Sequence, residues 1–279
     1  MHPLHRSHGI RHKPSVPLLR PYYGHERLLR DVAARSTTSN CCRPKFRYLA
    51  PRSSGTILAM PANSARDEWA VEREEMVRTQ LARRGIQSEA VLQAMREVPR
   101  EWFVPSAMVR QAYHDGALPI ERGQTISQPY IVARMTELLE VQPEDRVLEI
   151  GTGTGYQTAI LALLARHVFT IEWHLKLMNA AAQCLERLGQ HNVTFRCGDG
   201  SLGWPERAPY DAIIVTAGAP DVPEPLREQL AVGGRLVIPV GEMENQVLVR
   251  VRRSESGYER EEHLRCRFVK LLGERGWPE

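Results

Sequence analysis

Residues 147–156 constrain the fold more than any other part of the sequence. They run from a short apolar stretch, VLEI, straight into the glycine-rich turn GTGTG, after which an apolar helical pattern begins at Tyr156. Because glycine tolerates positive φ and has no Cβ, such a turn lets the backbone come close to a bound ligand. The helix start behind the turn adds unpaired N–H groups and the positive end of a dipole. We therefore predict a strand–loop–helix unit that binds a nucleotide-like ligand.

Strands and helices alternate from residue 145 onward. We expect strands at 146–150, 168–172, 193–196, 211–216 and 235–240, and helices at 156–165, 174–188 and 223–231. This alternation predicts an α/β fold, a doubly wound and mostly parallel sheet with helices on both faces. Two later β-rich segments, 246–253 and 262–269, predict an antiparallel C-terminal edge.

The region before this sheet carries helical patterns at 64–84, 88–97 and 130–140, separated by a loop-rich stretch over 99–129. We expect residues 60–279 to form a single domain. Within it, 60–143 would be an N-terminal helical and substrate-lid region, and 144–279 would hold the cofactor-binding sheet and the C-terminal strands.

Residues 1–59 differ in composition from the rest of the chain. They contain eleven Lys and Arg but only Glu26 and Asp31 as acids, a net charge of +9, whereas the whole chain carries +4, which leaves −5 for residues 60–279. Six prolines and no sustained apolar period predict a disordered leader. An Arg-rich transit peptide is an alternative that the prolines disfavour, and Met60 is a candidate start of the natural chain. The basic character thus belongs to the leader, so we expect no nucleic-acid partner.

The cysteines and the hydropathy exclude two further classes of protein. Five cysteines are present, none in C-x-x-C spacing, and an odd number falls in the expected folded part, so we predict neither a metal site nor disulfides. Reduced thiols fit a cytoplasmic location. No apolar run approaches the roughly 18 residues of a membrane span, so no membrane partner is expected.

Polar or small residues follow each of the first four strands, where ligands bind in open parallel sheets. Glu172, 17 residues after Gly155, would accept hydrogen bonds from ribose hydroxyls, and Asp199 from an adenine amino group. Taken alone, Glu172 could be a solvated acid at a strand end, and Asp199 could be a residue that only forms a turn. The G-x-G-x-G spacing differs from the G-x-G-x-x-G of dinucleotide sites, which favours S-adenosyl-L-methionine over the rival interpretation, a nicotinamide dehydrogenase.

Several motifs together resemble a known family. They are VPREWFVP at 98–105, GQTISQP at 123–129, EIGTGTG at 149–155, GDG at 198–200, the stretch 225–241 with GGRL, and NQ at 245–246. Over about residues 65–277 the sequence is similar to the protein-L-isoaspartate O-methyltransferases. The QTISQP run is the most specific of these motifs. Ala117, Glu121 and Lys270 depart from the family pattern, which bears on loop geometry and substrate preference.

The resemblance implies transfer of a methyl group from S-adenosyl-L-methionine to the α-carboxylate of L-isoaspartyl residues in damaged proteins and peptides. The ester then collapses to a succinimide that can reopen as aspartate. The resemblance also implies that Ser127 is the catalytic residue. It implies cofactor contacts at Gln124, Thr125, Ile126, Glu149, Gly151, Thr152, Gly153, Thr154, Gly155, Glu172, Asp199, Gly200 and Gln246. We further expect the protein to be a monomer.

Two other functions stay open at this point. One is a methyltransferase of the same fold that acts on a small molecule or RNA, and the other is a cofactor-binding module without activity. A damaged glycine loop or a missing Ser127 would indicate the inactive cofactor-binding module, and the sequence shows neither. Methylation of isoaspartyl peptides would distinguish the isoaspartyl enzyme from a methyltransferase that acts on a small molecule or RNA. His114 and Asp115, which look like a catalytic pair, are expected to be structural.

Overall fold

A seven-stranded sheet organises residues 67–278, the part of the chain that the computed structural model describes. Its strands are β3 (Arg146–Ile150), β4 (His167–Glu172), β5 (Val193–Cys197), β6 (Tyr210–Val215), β7 (Leu230–Glu242), β8 (Asn245–Ser254) and β9 (Gly257–Cys266). A separate short hairpin pairs β1 (Leu118–Pro119) with β2 (Thr125–Ile126). The expected leader, 1–59, lies outside the described residues.

The strand order is β5-β4-β3-β6-β7-β8-β9. Strands β3 to β7 pair in parallel, whereas β8 and β9 add as antiparallel strands at one edge. The order reverses direction at β3, which has β4 on one side and β6 on the other. The doubly wound sheet with an antiparallel C-terminal edge is therefore confirmed.

Helices cover both faces of the sheet. They are α1 (Ala70–Glu75), α2 (Glu89–Glu97), α3 (Pro129–Leu139), α4 (Tyr156–Leu164), α5 (Leu175–Arg187) and α6 (Glu224–Glu228). Val147 of β3 packs in a buried cluster with Leu139 of α3 and Leu161 of α4. Its neighbour Leu148 points to the other face and packs with Leu226 of α6. A strand that is buried on both faces reads as a continuous apolar run, as VLEI does apart from Glu149.

The N-terminal helix is less regular than predicted. After α1 the backbone widens to a π-helix over Met76–Leu81 and then tightens to a 3-10 turn over Ala82–Arg84. The Thr79 hydroxyl donates to the Glu75 carbonyl at 2.7 Å, and such competition for a helical carbonyl bends helices. Gly85, at φ +91°, ends the helix as expected.

Several C-terminal boundaries differ from the sequence prediction. Strand β7 begins at Leu230, five residues earlier than predicted, because Leu230 already pairs with Tyr210, and β9 ends at Cys266 and not at 269. Helix α6 ends at Glu228 because Leu230 already pairs with Tyr210 in the sheet. Strand β9 begins at Gly257, five residues earlier than predicted, because a tight turn pairs Ser254 directly with Gly257 and so sets the register. Over residues 67–278, no helix has both the length and the apolar character needed to cross a bilayer.

Candidate active site

An open cleft lies at the carboxyl ends of the parallel strands, as the topology predicts. Its volume is about 920 Å³, including the solvent at its mouth. The walls come from five well-separated parts of the chain: 124–127, 151–154, 172–174, 198 with 200, and 269–272. Thr216 and Ala217 line it between the last two walls. Segments far apart in sequence therefore converge on one site.

The three glycines of the loop after β3 all have left-handed backbone angles, with φ of +96° at Gly151, +54° at Gly153 and +92° at Gly155. A Cβ on Gly151 would lie 2.4 Å from Oγ1 of Thr216, whose hydroxyl donates to the Gly151 carbonyl at 2.6 Å. A Cβ on Gly155 would approach Leu185 of α5 to 2.8 Å. Around Gly153 a Cβ would meet nothing within 4 Å, so this is where the loop opens to the cleft.

Glu172 ends β4 and lines the cleft with only 5% of its surface exposed. One carboxylate oxygen accepts from the Gly153 N–H at 2.8 Å and the other from the His174 N–H at 2.9 Å. These two bonds hold the carboxylate in one orientation. Each carboxylate oxygen can accept a second hydrogen bond, so both retain acceptor capacity toward the cleft.

Glu149 lies beneath the glycine loop and is fully buried, so it is not among the residues that line the cleft. Its Oε2 accepts from Thr158 at 2.5 Å and from Thr170 at 2.6 Å, and its Oε1 has no partner among the described residues. Burial raises the pKa of Glu149 to about 8. The Thr170 and Thr152 hydroxyls lie 2.6 Å apart, so a hydrogen-bonded chain links Glu149 to the cleft wall.

Asp199 and Gln246 also stand outside the lining of the cleft. The Asp199 carboxylate accepts from the Ser201 N–H and hydroxyl through Oδ1 and from the Glu274 N–H through Oδ2. Gln246 is fully buried and exchanges two hydrogen bonds with the Phe268 backbone. Both residues thereby anchor the C-terminal segment that carries the wall at 269–272.

Residues 123–129, which we call the acceptor segment, contribute a second wall through residues 124–127. Ser127 is half-buried in the cleft, and its hydroxyl has no hydrogen-bond partner within residues 67–278. Its carbonyl accepts from Arg100 at 2.8 Å. Pro129 then begins α3. At the tip of the preceding hairpin, Glu121 pairs with Lys176 of α5 at 2.6 Å.

The structure brings most of the predicted site residues together in one cleft. Ten of them line it: Gln124, Thr125, Ile126, Ser127, Gly151, Thr152, Gly153, Thr154, Glu172 and Gly200. Four do not: Glu149, Gly155, Asp199 and Gln246. Asp115, set aside as structural, pairs with Arg84 and Gln128 on the surface.

Sequence reasoning missed part of the lining. Trp173, His174 and the wall at 269–272 were not predicted. The first two directly follow Glu172, so their place at a strand end was an available signal. The wall at 269–272 comes from a segment after the last strand, and a parallel bridge between Gly218 and Lys270 brings it to the cleft.

Comparison with known proteins identifies relatives that match most of the chain. Residues 71–276 match the family model described as protein-L-isoaspartate(D-aspartate) O-methyltransferase. A protein-L-isoaspartate O-methyltransferase of Geobacter metallireducens is 57% identical over 208 residues, which cover 74% of this chain and 96% of the relative. One of Pelobacter propionicus is 58% identical over 207 residues, covering 74% of this chain and 92% of the relative.

Solved structures agree with these relatives. A protein-L-isoaspartate O-methyltransferase structure superposes with a TM-score of 0.67 at 34% identity, over 73% of this chain and 67% of its own. A Plasmodium falciparum structure described by the same activity, in complex with S-adenosyl-L-homocysteine, superposes with a TM-score of 0.62 at 26% identity, over 72% of this chain and 98% of its own. The chain therefore belongs to the protein-L-isoaspartate(D-aspartate) O-methyltransferase family.

Proposed function

We propose that this chain is a protein-repair enzyme that transfers a methyl group from S-adenosyl-L-methionine to the α-carboxylate of L-isoaspartyl residues. Family membership supports the reaction and the substrates, which are isoaspartyl-containing proteins and peptides. The observation that carries the proposal is that Ser127, the glycine loop and Glu172 all line the same cleft.

The residues of the first wall fit S-adenosyl-L-methionine. Gly153 leaves room for a ligand where its backbone meets the cleft, and the oriented carboxylate of Glu172 suits two vicinal ribose hydroxyls. We propose that these residues, with Gly151, Thr152 and Thr154, hold the cofactor. When bound, it supplies a methyl group on a positively charged sulfur. Glu149 and Gly155 would support this wall from behind, and Asp199 and Gln246 would support the wall at 269–272.

The second wall would hold the acceptor. A carboxyl group has a pKa near 4, so the acceptor is already ionised at neutral pH and needs no general base. The unpartnered hydroxyl of Ser127 would donate to one oxygen of the acceptor and leave the other free to attack the methyl carbon. Holding the two groups in line is then the main contribution of the protein to the rate. Gln124, Thr125 and Ile126 extend this wall toward the cofactor.

A methylation assay tests the proposal directly. The full chain is incubated with methyl-labelled S-adenosyl-L-methionine and a short peptide containing one isoaspartyl residue. We expect label in a base-labile ester on this peptide. The matched control is the same peptide with normal aspartate, which should stay unlabelled. Equal labelling of both peptides, or label in added RNA alone, would contradict the proposal.

Several expectations from the sequence remain predictions for this chain. They are the monomeric state, the cytoplasmic location, the lack of a nucleic-acid partner, and the single domain at 60–279 with its lid region at 60–143. Size-exclusion chromatography with light scattering tests the first. The same methylation assay on residues 60–279 alone tests the domain boundary, because equal turnover is expected without the leader.

A further inference from the structure

Arg100 lies directly behind the acceptor segment and is fully buried. It belongs to the VPREWFVP motif, which serves only as a mark of resemblance in the sequence. Its neighbouring titratable groups are the neutral hydroxyls of Tyr156 and Tyr113, and no acid pairs with it among residues 67–278. Burying a cation without an anion costs stability, and burial lowers the pKa of Arg100. A neutral side chain of similar length would pack there at lower cost.

The guanidinium instead connects three parts of the chain. Its Nε donates to the Ala112 carbonyl at 2.7 Å, and its Nη2 donates to the Ser127 carbonyl at 2.8 Å. Its central carbon lies 4.7 Å from the centre of the Tyr156 ring, a cation–π distance. Tyr156 is the first residue of α4, directly after the glycine loop. Arg100 therefore spans from the wall that carries Ser127 to the helix that follows the glycine loop.

Ile126 packs into the hydrophobic core beside Ser127, but few polar contacts fix the backbone of the acceptor segment. The hairpin before it has strands of two residues each, and its tip is held by the solvent-exposed pair Glu121–Lys176. Such exposed pairs contribute little. The bond from Arg100 to the Ser127 carbonyl is part-buried and charge-assisted, the stronger kind of hydrogen bond. The planar guanidinium fixes both of its bonds in one geometry, which a lysine ammonium cannot reproduce.

We propose that Arg100 is a positioning residue for methyl transfer, which fixes the backbone of Ser127 and so sets the direction of the Ser127 hydroxyl in the cleft. The inference rests on the proposed role of Ser127. It assigns to Arg100 an effect on the rate of transfer at saturation, with little effect on cofactor affinity.

The test compares wild type, Arg100→Lys, Ser127→Ala and the double variant in the full chain. We expect Arg100→Lys to lower kcat for an isoaspartyl peptide by about tenfold, because small misplacements of a reacting group are costly. The dissociation constant of S-adenosyl-L-homocysteine should change by less than about threefold. In the double variant the two losses should not multiply, since both act through the same hydroxyl.

Arg235→Lys is the matched control for loss of a buried arginine. Arg235 is also buried and donates to the carbonyls of Leu139, Glu140 and Asp211, but it pairs with Asp145 at the other end of the sheet. The variant Arg235→Lys should lower the Tm and leave kcat unchanged. If Arg100→Lys does not fold, Arg100→Gln replaces it in the test. This variant removes the buried charge but keeps one donor, and we expect the same loss of kcat.

The outcomes separate the inference from the proposed function. An inactive wild type would contradict the function itself. If wild type is active and Ser127→Ala is impaired, an unchanged kcat in the Arg100 variant overturns the inference. It is also overturned by multiplying losses in the double variant, by an unaffected Ser127→Ala, or by an equal loss of kcat in Arg235→Lys.

Discussion

The two walls of the cleft are built in different ways. The glycine loop at 151–155 directly follows the central strand β3. It hydrogen-bonds to Glu172 of β4 and to Thr216 after β6, and Gly155 packs against α5. The acceptor wall at 123–129 is a loop between a minimal hairpin and α3, with one buried charged side chain, Arg100, behind it. The first wall is thus an extension of the central sheet, whereas the second is a loop held by one core side chain, Ile126, and a few polar contacts.

Substitutions in the two walls should therefore affect different properties of the protein. At its packed positions, Gly151 and Gly155, the first wall has no room for added atoms, so substitutions there should affect ligand affinity and folding together. A loop wall can shift without unfolding the protein, so substitutions there should affect the rate of transfer more than stability.

The largest expected effect comes from Gly151→Ala. The added Cβ would meet the Thr216 hydroxyl at 2.4 Å while the backbone keeps a left-handed φ of +96°. We expect S-adenosyl-L-homocysteine to bind about 100-fold more weakly, as measured by calorimetry. Gly189→Ala is the control, because Gly189 has a φ of +73° but its Cβ would meet nothing within 4 Å. Equal losses in both variants would mean that backbone strain, and not the contact with Thr216, is responsible.

Ser127→Ala should have the next largest effect, and on the other wall. Loss of the hydroxyl should lower kcat for an isoaspartyl peptide by about 30-fold, because a positioned donor to the acceptor is removed. The Tm should stay within about 1 °C, since no described residue accepts or donates at that hydroxyl. Unchanged turnover would remove Ser127 from the mechanism.

Glu149→Gln should change the pH dependence of stability. Burial raises the pKa of Glu149 to about 8 in the folded protein, against about 4.3 in the unfolded chain. Between these values the folded state binds more protons, so this group makes the free energy of unfolding fall as pH rises. We expect the Tm of wild type to fall more steeply from pH 6 to pH 8 than that of the variant. Parallel Tm profiles would contradict a proton on Glu149.

Lys176→Ala should have the smallest effect. It removes the pair with Glu121 that joins the hairpin tip to α5, and both side chains are more than half exposed. We expect the KM for an isoaspartyl peptide to change by less than about threefold, with kcat unchanged. Glu121→Gln should give the same result, and the double variant no further change. A large loss in either single variant would show that the exposed pair restrains the acceptor wall more than Arg100 does.

The same contrast explains what the sequence could predict. The glycine loop and Glu172 follow local rules, a turn that requires positive φ and an acid at a strand end, so periodicity and spacing sufficed for the fold and this wall. The wall at 269–272 depends on a long-range bridge to Gly218, which no local pattern encodes. The sequence also could not predict the burial of Glu149 or the two hydrogen bonds of Arg100, because both depend on which segments pack against these residues.

The origin of the cleft walls in five distant segments has a consequence for the whole chain. A ligand that touches residues 124–127 and 269–272 at once can bind only when the segments between them are folded. Occupancy is therefore linked to global unfolding and not to local fraying. A ligand at 100 times its dissociation constant would add about 2.7 kcal/mol to the free energy of unfolding. A ligand that reaches both walls would therefore act as a clamp on the whole fold, and its concentration would set how much of the protein is unfolded at any time.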